Sequence, residues 1–86
     1  GLLAQSQSDF AAARGLFEES LALSRERGDR GNIAYALRYL GSLARDWGDH
    51  AAARGLYEES LALSRELGER GNIASTLTNL GIVASS

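Results

Sequence analysis

Three groups of residues in this chain have types and spacings that could do chemistry. Asp49 directly precedes His50, the only histidine, in a chain with many serines, and these are the residue types of a nucleophile assisted by an acid–base pair. The adjacent pairs Glu18-Glu19 and Glu58-Glu59 offer two carboxylates each, as general acid–base catalysis uses. The run Gly28–Gly31 begins and ends with glycine, a residue that phosphate-binding loops require.

None of these groups has the surroundings that its chemistry requires. His50 has no second histidine and no cysteine as a partner, so it cannot make a metal site by itself, and adjacency in sequence does not make a triad. The glutamate pairs recur identically on a turn predicted to face solvent, which favours a solvated surface. The run Gly28–Gly31 follows a helix and lacks the G-x-G-x-x-G pattern. We therefore expect no catalytic residues, no cofactor and no metal site.

Composition narrows the classes of partner. The 86 residues carry 11 acidic and 9 basic side chains, all nine of them arginine, for a net charge of −2. This balance lacks the basic stripe expected of a nucleic-acid binder, and it also argues against a DNA-binding helix-turn-helix. No apolar run is long enough to span a bilayer, and the chain has no cysteine. We expect a cytoplasmic chain that binds neither nucleic acid nor membrane.

The elements that would position these residues are set by an internal repeat. When the sequence is shifted by 40 residues, 26 of the 38 positions in residues 9–46 are identical to those in residues 49–86. We expect one repeat segment over residues 1–86, in which residues 1–8 end a first helix. Residues 9–48 and 49–86 are then successive units, the second of them incomplete.

Each unit is predicted to contain two helices. Asp9 and Asp49 can cap a first helix with their carboxylates, and apolar residues recur after them at helical spacing. The first helix is expected over residues 10–27 and to stop at Gly28. Because short connections place consecutive helices antiparallel, the sequence predicts an all-α solenoid of antiparallel helix pairs.

The second helix of each unit contains a glycine that needs an explanation. This helix is expected to be capped by Asn32 and to end before Gly48, with Gly41 inside it. A glycine inside a helix costs about 1 kcal/mol relative to alanine. We expect the close approach of a neighbouring helix to compensate for this cost at Gly41 and at the equivalent residue 40 positions later, Gly81. Two residues 40 positions apart are called twins below.

Small and apolar residues of both units follow one spacing, carried by Leu40-Gly41, Ala44, Gly48-Asp49, Ala53, Tyr57 and Ser60-Leu61. This spacing resembles that of the tetratricopeptide repeat. The 40-residue unit is longer than the usual one and lacks its proline, and in this it is similar to the repeats of kinesin light chain, spindle-orientation adaptors and bacterial signalling proteins. The resemblance implies a right-handed superhelix whose concave face, lined by the first helix of each pair, binds a peptide or helix of a protein partner.

One stripe of residues is the candidate binding site. If Leu37, Gly41 and Ala44 face the neighbouring helices, the opposite face of the same helix carries a stripe of polar and aromatic residues that is exposed to solvent. Of the 12 positions that differ between the units, 8 lie within residues 35–46 or their twins, and tyrosine and arginine dominate binding hot spots. The candidate partner-binding residues are Tyr35, Arg38, Tyr39, Ser42, Arg45, Thr78, Asn79 and Ile82.

Other interpretations of this stripe stay open. It can be an ordinary polar helix face in which Arg45 only pairs with Asp46 or Asp49. It can also hold a terminal carboxylate, as some members of the resembling family do, with Arg38 and Asn79 at related places. We expect Phe10, His50 and Trp47 to serve packing, with Trp47 filling a gap between helices.

A second function comes from a different class. Because the two units are nearly identical, the rear surface of one fits the front of the next, and both ends would expose apolar residues. The chain can therefore be a structural segment that assembles with itself, end to end or as a dimer. The leading expectation remains a non-enzymatic interaction scaffold inside a larger regulatory protein.

Overall fold

Glycines divide the chain into four helices. The computed structural model describes the backbone of residues 2–85 and the side chains of residues 9–85. Its helices are α1 (Leu2–Arg27), α2 (Arg30–Trp47), α3 (His50–Leu67) and α4 (Arg70–Ser85). No strand occurs within residues 2–85. The all-α fold predicted from the sequence is confirmed.

The helices end where the sequence predicts. Gly28, Gly48 and Gly68 have φ values of +69°, +93° and +72°, a left-handed conformation that only glycine adopts without strain. The amide of Gly48 donates to the carbonyl oxygens of Ala44 and Arg45 and so satisfies the last turn of α2. One further residue follows each glycine before the next helix begins, so consecutive helices turn back along one another.

The beginning of α1 differs from the prediction. This helix starts at Leu2 and runs through Asp9 without a break, so the predicted cap at Asp9 and the predicted start at Phe10 are wrong. Ser8 stands where Gly48 stands in the next unit. A residue with a Cβ atom pays an energetic cost in the left-handed conformation that ends α2. Without a glycine there, the helix continues.

The cap of α2 also differs from the prediction. Asp29, rather than Asn32, caps this helix: its carboxylate accepts from the backbone amide of Asn32 at 3.3 Å and from the side-chain amide of Asn32 at 2.9 Å. The helix therefore begins at Arg30, three residues earlier than an Asn32 cap requires. Asp49 caps α3 as predicted, by accepting from the amide of Ala52 at 3.2 Å.

Two apolar clusters hold the helices together. The first joins α1 to α2, with Leu56 of α3 packed against it, and consists of Leu21, Ala36, Leu37 and Leu40. The second joins α3 to α4, with Ala44 of α2 packed against it, and consists of Ala53, Tyr57 and Val83. Because α2 contacts the other three helices, it is the central element of the stack.

The glycine inside α2 lies against an aromatic ring. A Cβ atom added at Gly41 would lie 2.9 Å from the Cδ1 and Cε1 atoms of Tyr57, and Tyr57 is fully buried. The close approach predicted for Gly41 is confirmed. Its twin Gly81 has no heavy atom of the described residues within 4 Å of such a Cβ, so the same prediction fails at Gly81.

Polar side chains join the stack where helices cross. The hydroxyl of Ser60 donates to the carbonyl oxygen of Ala34 at 2.6 Å, and this bond ties α3 to α2. Asn72 of α4 donates its side-chain amide to the hydroxyls of Ser60 and Ser64. Every one of these buried hydroxyls is thereby hydrogen-bonded, as buried polar groups require.

Candidate protein-interaction surface

The eight candidate residues lie on two helices that touch. Tyr35, Arg38, Tyr39, Ser42 and Arg45 belong to α2, and Thr78, Asn79 and Ile82 belong to α4; we call this set the α2–α4 surface. The two helices contact each other directly, so the structure brings both halves of the predicted stripe together. The outward placement predicted for the stripe holds only in part, because Arg38, Tyr39, Ser42, Arg45 and Asn79 are half-buried.

An arginine and two tyrosines form the most ordered part of this surface. The guanidinium carbon of Arg38 lies 5.1 Å from the ring centroid of Tyr35 and 4.7 Å from that of Tyr39. The two hydroxyls are 2.8 Å apart, and the two ring centroids are 4.6 Å apart. Each cation–π contact is worth about 0.5–1 kcal/mol at an exposed site, so the three side chains order one another.

The hydrogen bond between the Tyr35 and Tyr39 hydroxyls also shifts the pKa values of the two groups in opposite directions. It raises the pKa of Tyr35 and lowers the pKa of Tyr39, since the Tyr39 oxygen is the acceptor once it loses its proton. The positive charge of Arg38 lowers the pKa of Tyr39 further.

Phe17 supports this cluster from α1, a role that the sequence analysis missed. The rings of Phe17 and Tyr39 stack with centroids 5.0 Å apart and planes within 3° of parallel. A stacked aromatic pair contributes about 0.5–1.5 kcal/mol of stability beyond that from the apolar surface it buries. The stacking on Phe17 therefore favours this orientation of the Tyr39 ring. The signal was the recurrence of an aromatic residue at Phe17 and Tyr57, but the partner of Phe17 comes from another helix.

The two arginines of the surface also hold α2 to α4. The Nε atom of Arg38 donates to Oδ1 of Asn72 at 2.6 Å, and Arg45 donates to Oδ1 of Asn79 at 3.1 Å. Arg45 also lies 3.5 Å from the carboxylate of Asp46, the pairing that the alternative interpretation named. Both arginines are therefore positioned by neighbours before any partner binds.

The remaining candidates divide between packing and surface. The hydroxyl of Ser42 lies 2.7 Å from that of the buried Tyr57, so Ser42 serves the contact between α2 and α3. Thr78 is exposed and donates to the carbonyl oxygen of Ala74 at 3.0 Å. Ile82 exposes 47% of its surface. The α4 half of the surface is thus neutral, whereas the α2 half carries both arginines.

The histidine and the aspartate first considered for chemistry lie at the surface. His50 is exposed, and the carboxylate of Asp49 beside it is used as a helix cap. Within the described part of the chain, no three His, Cys, Asp or Glu side chains gather as metal ligands. Trp47 packs on Phe10 with ring centroids 4.5 Å apart, in agreement with the expected packing role, although half of Trp47 remains exposed.

Among residues 2–85, no helix combines the length and the hydropathy needed to cross a bilayer.

Comparison with known proteins gives one positive result. A family model described as tetratricopeptide repeat matches residues 1–66, which include α1, α2 and nearly all of α3. No curated protein and no solved structure matches the chain significantly.

Proposed function

The chain belongs to the tetratricopeptide repeat family, and from that premise we propose that its α2–α4 surface binds a peptide or a helix of a protein partner. Repeats of this family generally mediate protein–protein interactions and are typically non-enzymatic scaffolds. In this proposal the chain is a binding segment of a larger regulatory protein. Counted from the helices that contain Leu40-Gly41 and Leu80-Gly81, α2 and α4 are the first helices of their pairs, and the proposal places the α2–α4 surface on the concave face of the helix stack.

The ordered cluster of Tyr35, Arg38 and Tyr39 is the observation that carries the proposal. The guanidinium of Arg38 contacts both tyrosine rings, and the Phe17 ring of α1 stacks on the Tyr39 ring. Immobilising such side chains on binding would otherwise cost about 0.5–1.5 kcal/mol for each one. Because this ordering already exists, a partner gains more net free energy from contacts here. Tyr35 leaves 48% of its surface exposed for such contacts.

The charges of the surface indicate the chemistry of the partner. The α2 half carries Arg38 and Arg45, whereas the α4 half presents Thr78 and Ile82 without charge. Asn72 occupies the Nε atom of Arg38, so a partner's carboxylate would use the terminal guanidinium nitrogens. We therefore propose a peptide with an acidic group beside α2 and an apolar residue beside α4.

The experiment uses a phage-displayed library of random peptides, selected on the immobilised wild-type chain. The affinities of recovered peptides are then measured by fluorescence anisotropy against three chains: wild type, Tyr35→Ala with Arg38→Ala, and the control Arg54→Ala. We expect the double variant to weaken binding by about tenfold or more, since it removes two hot-spot residue types. Arg54 is exposed on α3 and lies outside the proposed surface, so its variant should bind like the wild type.

Circular dichroism must show equal helicity for all three chains. If the recovered peptides bind the double variant as tightly as the wild type, or if the library yields no binding peptide, the assignment of the α2–α4 surface is wrong.

A further inference from the structure

The outer side of α4 repeats a surface that is covered inside the molecule. Ala74, Leu77, Gly81 and Ala84, which we call the α4 end face, are all exposed. Their counterparts 40 residues earlier are the same residue types in α2, which contacts both α1 and α3: Ala34, Leu37 and Gly41 are buried and Ala44 is half-buried.

The outer side of α1 repeats the complementary surface. Leu16, Phe17, Ser20 and Leu23, the α1 end face, have twins in α3 that pack inside the stack. Leu16 and Leu23 expose 68% and 50% of their surfaces, whereas the twins Leu56 and Leu63 are half-buried. Ser20 is exposed, whereas its twin Ser60 is fully buried.

The contact of α3 with α2 shows how these two faces fit together. The Tyr57 ring lies on Gly41, Ser60 donates to the carbonyl oxygen of Ala34, and Arg30 forms an ion pair with Glu66 at the end of the two helices. Each of these residues has a counterpart of the same kind 40 positions away, on an end face or beside it. Phe17 corresponds to Tyr57, Gly81 to Gly41, Ser20 to Ser60, Ala74 to Ala34, Arg70 to Arg30 and Glu26 to Glu66.

We propose that the α1 end face of a second copy of this chain docks on the α4 end face, in the arrangement by which α3 packs on α2. The Phe17 ring of one copy covers Gly81 of the other. Its Ser20 donates to the carbonyl oxygen of Ala74 in place of the Thr78 hydroxyl, which donates there at 3.0 Å in the single copy. Glu26 of the first copy pairs with Arg70 of the second, so the charges are complementary. The new contact continues the packing that already joins α2 to α3.

One difference between the internal contact and the proposed contact supports the match. Inside the molecule the hydroxyls of Ser42 and Tyr57 bond to each other at 2.7 Å. At the proposed contact both hydroxyls are absent together, because Phe17 replaces tyrosine and Ile82, a residue of the α2–α4 surface that adjoins Gly81, replaces serine. A change on one side alone would leave a buried hydroxyl without a partner, which costs free energy. The paired change leaves an apolar contact instead.

This contact joins two different faces, so one copy keeps its α4 end face free, the other keeps its α1 end face free, and each can take a further copy. Such heterologous contacts extend into open chains unless the rotation between copies closes a ring. The proposal does not rest on the proposed peptide binding, because Tyr35 and Arg38 lie outside both end faces.

The experiment measures molar mass by light scattering after size exclusion over a wide dilution series of the full chain. We expect the mass to rise above 9.2 kDa with concentration. Gly81→Ala should weaken association by about tenfold or more, since its methyl group would occupy the place of the Phe17 ring. It does not disturb the packing of the single copy, because no heavy atom among the described residues lies within 4 Å of the added methyl group.

Four further variants complete the design. Gly55→Ala adds the same methyl group at an exposed helical glycine outside both end faces and should associate like the wild type, as should Tyr35→Ala. Arg70→Glu should weaken association about two- to fivefold, and adding Glu26→Arg to it should restore the loss, because the ion pair is exposed.

A mass of 9.2 kDa at every concentration would overturn the proposal. So would association of Gly81→Ala as strong as that of the wild type, since growth would then proceed through another surface. Failure of the charge reversal to rescue association would show that the register is wrong. Loss of association in Tyr35→Ala would place the contact on the α2–α4 surface instead.

Discussion

The inner helices α2 and α3 and the outer helices α1 and α4 contain largely the same residues in different surroundings. Gly41 of α2 lies under an aromatic ring, whereas its twin Gly81 of α4 faces open space. Ser60 of α3 is fully buried, whereas its twin Ser20 of α1 is exposed. The position of a helix in the stack therefore determines whether a residue is core or surface.

The positions at which the two units differ in sequence also distinguish the inner helix α2 from the outer helix α4. The first parts of α2 and α4 are nearly identical, but Tyr35, Arg38 and Tyr39 have the twins Ser75, Thr78 and Asn79. Only α2 can therefore form the cation–π cluster. The central helix carries both the best-packed glycine and the best-ordered surface group, because it alone has neighbours on three sides.

The aromatic twins give the largest expected difference. Tyr57→Ala should lower the free energy of unfolding by about 3–5 kcal/mol, because a fully buried ring leaves a cavity. Phe17→Ala should cost less than half as much, since Phe17 is half-buried and its main partner is the Tyr39 ring. Urea unfolding followed by circular dichroism measures both. Equal losses would mean that the inner and outer helices are equally packed.

The glycine twins should give effects of opposite sign. Gly41→Ala should destabilise the chain by about 1–3 kcal/mol, because its methyl group meets the Tyr57 ring. Gly81→Ala should stabilise the single copy by up to about 1 kcal/mol, since alanine has the higher helix propensity and space is open there. The measurement is thermal unfolding in dilute solution, where association does not contribute. The same sign at both positions would break the comparison.

The serine twins should give the smallest effect. Ser60→Ala should destabilise by about 1 kcal/mol, because the bond to the carbonyl oxygen of Ala34 and the bond from Asn72 are both lost. Ser20→Ala should change stability by less than about 0.5 kcal/mol, as exposed substitutions usually do. Urea midpoints for the two variants, measured side by side, separate these values. A loss at Ser20 equal to that at Ser60 would contradict the assigned burial.

The sequence predicted the helices well and their interactions only in part. The stops at Gly28 and Gly48 and the cap at Asp49 are local signals, and the structure confirms them. The cap at Asp9 was wrong because a cap residue alone does not end the helix before it. The stop also needs a glycine, and Ser8 takes its place.

The candidate site shows the same limit. Periodicity placed all eight residues on two contacting helices, since a helix face follows from residue spacing alone. It did not predict that Ser42 would bond to Tyr57, that Arg38 would donate to Asn72, or that Phe17 would support Tyr39. Each of these bonds joins different helices.

The sequence by itself therefore determined the helix stops at Gly28 and Gly48, which residues share a face, and that the chain is a helical repeat. These properties depend on interactions within a few residues along the chain. Only the tertiary structure decided which of two identical residues is buried. Burial depends on the neighbouring helix, and two copies with the same residues have different neighbours in the stack.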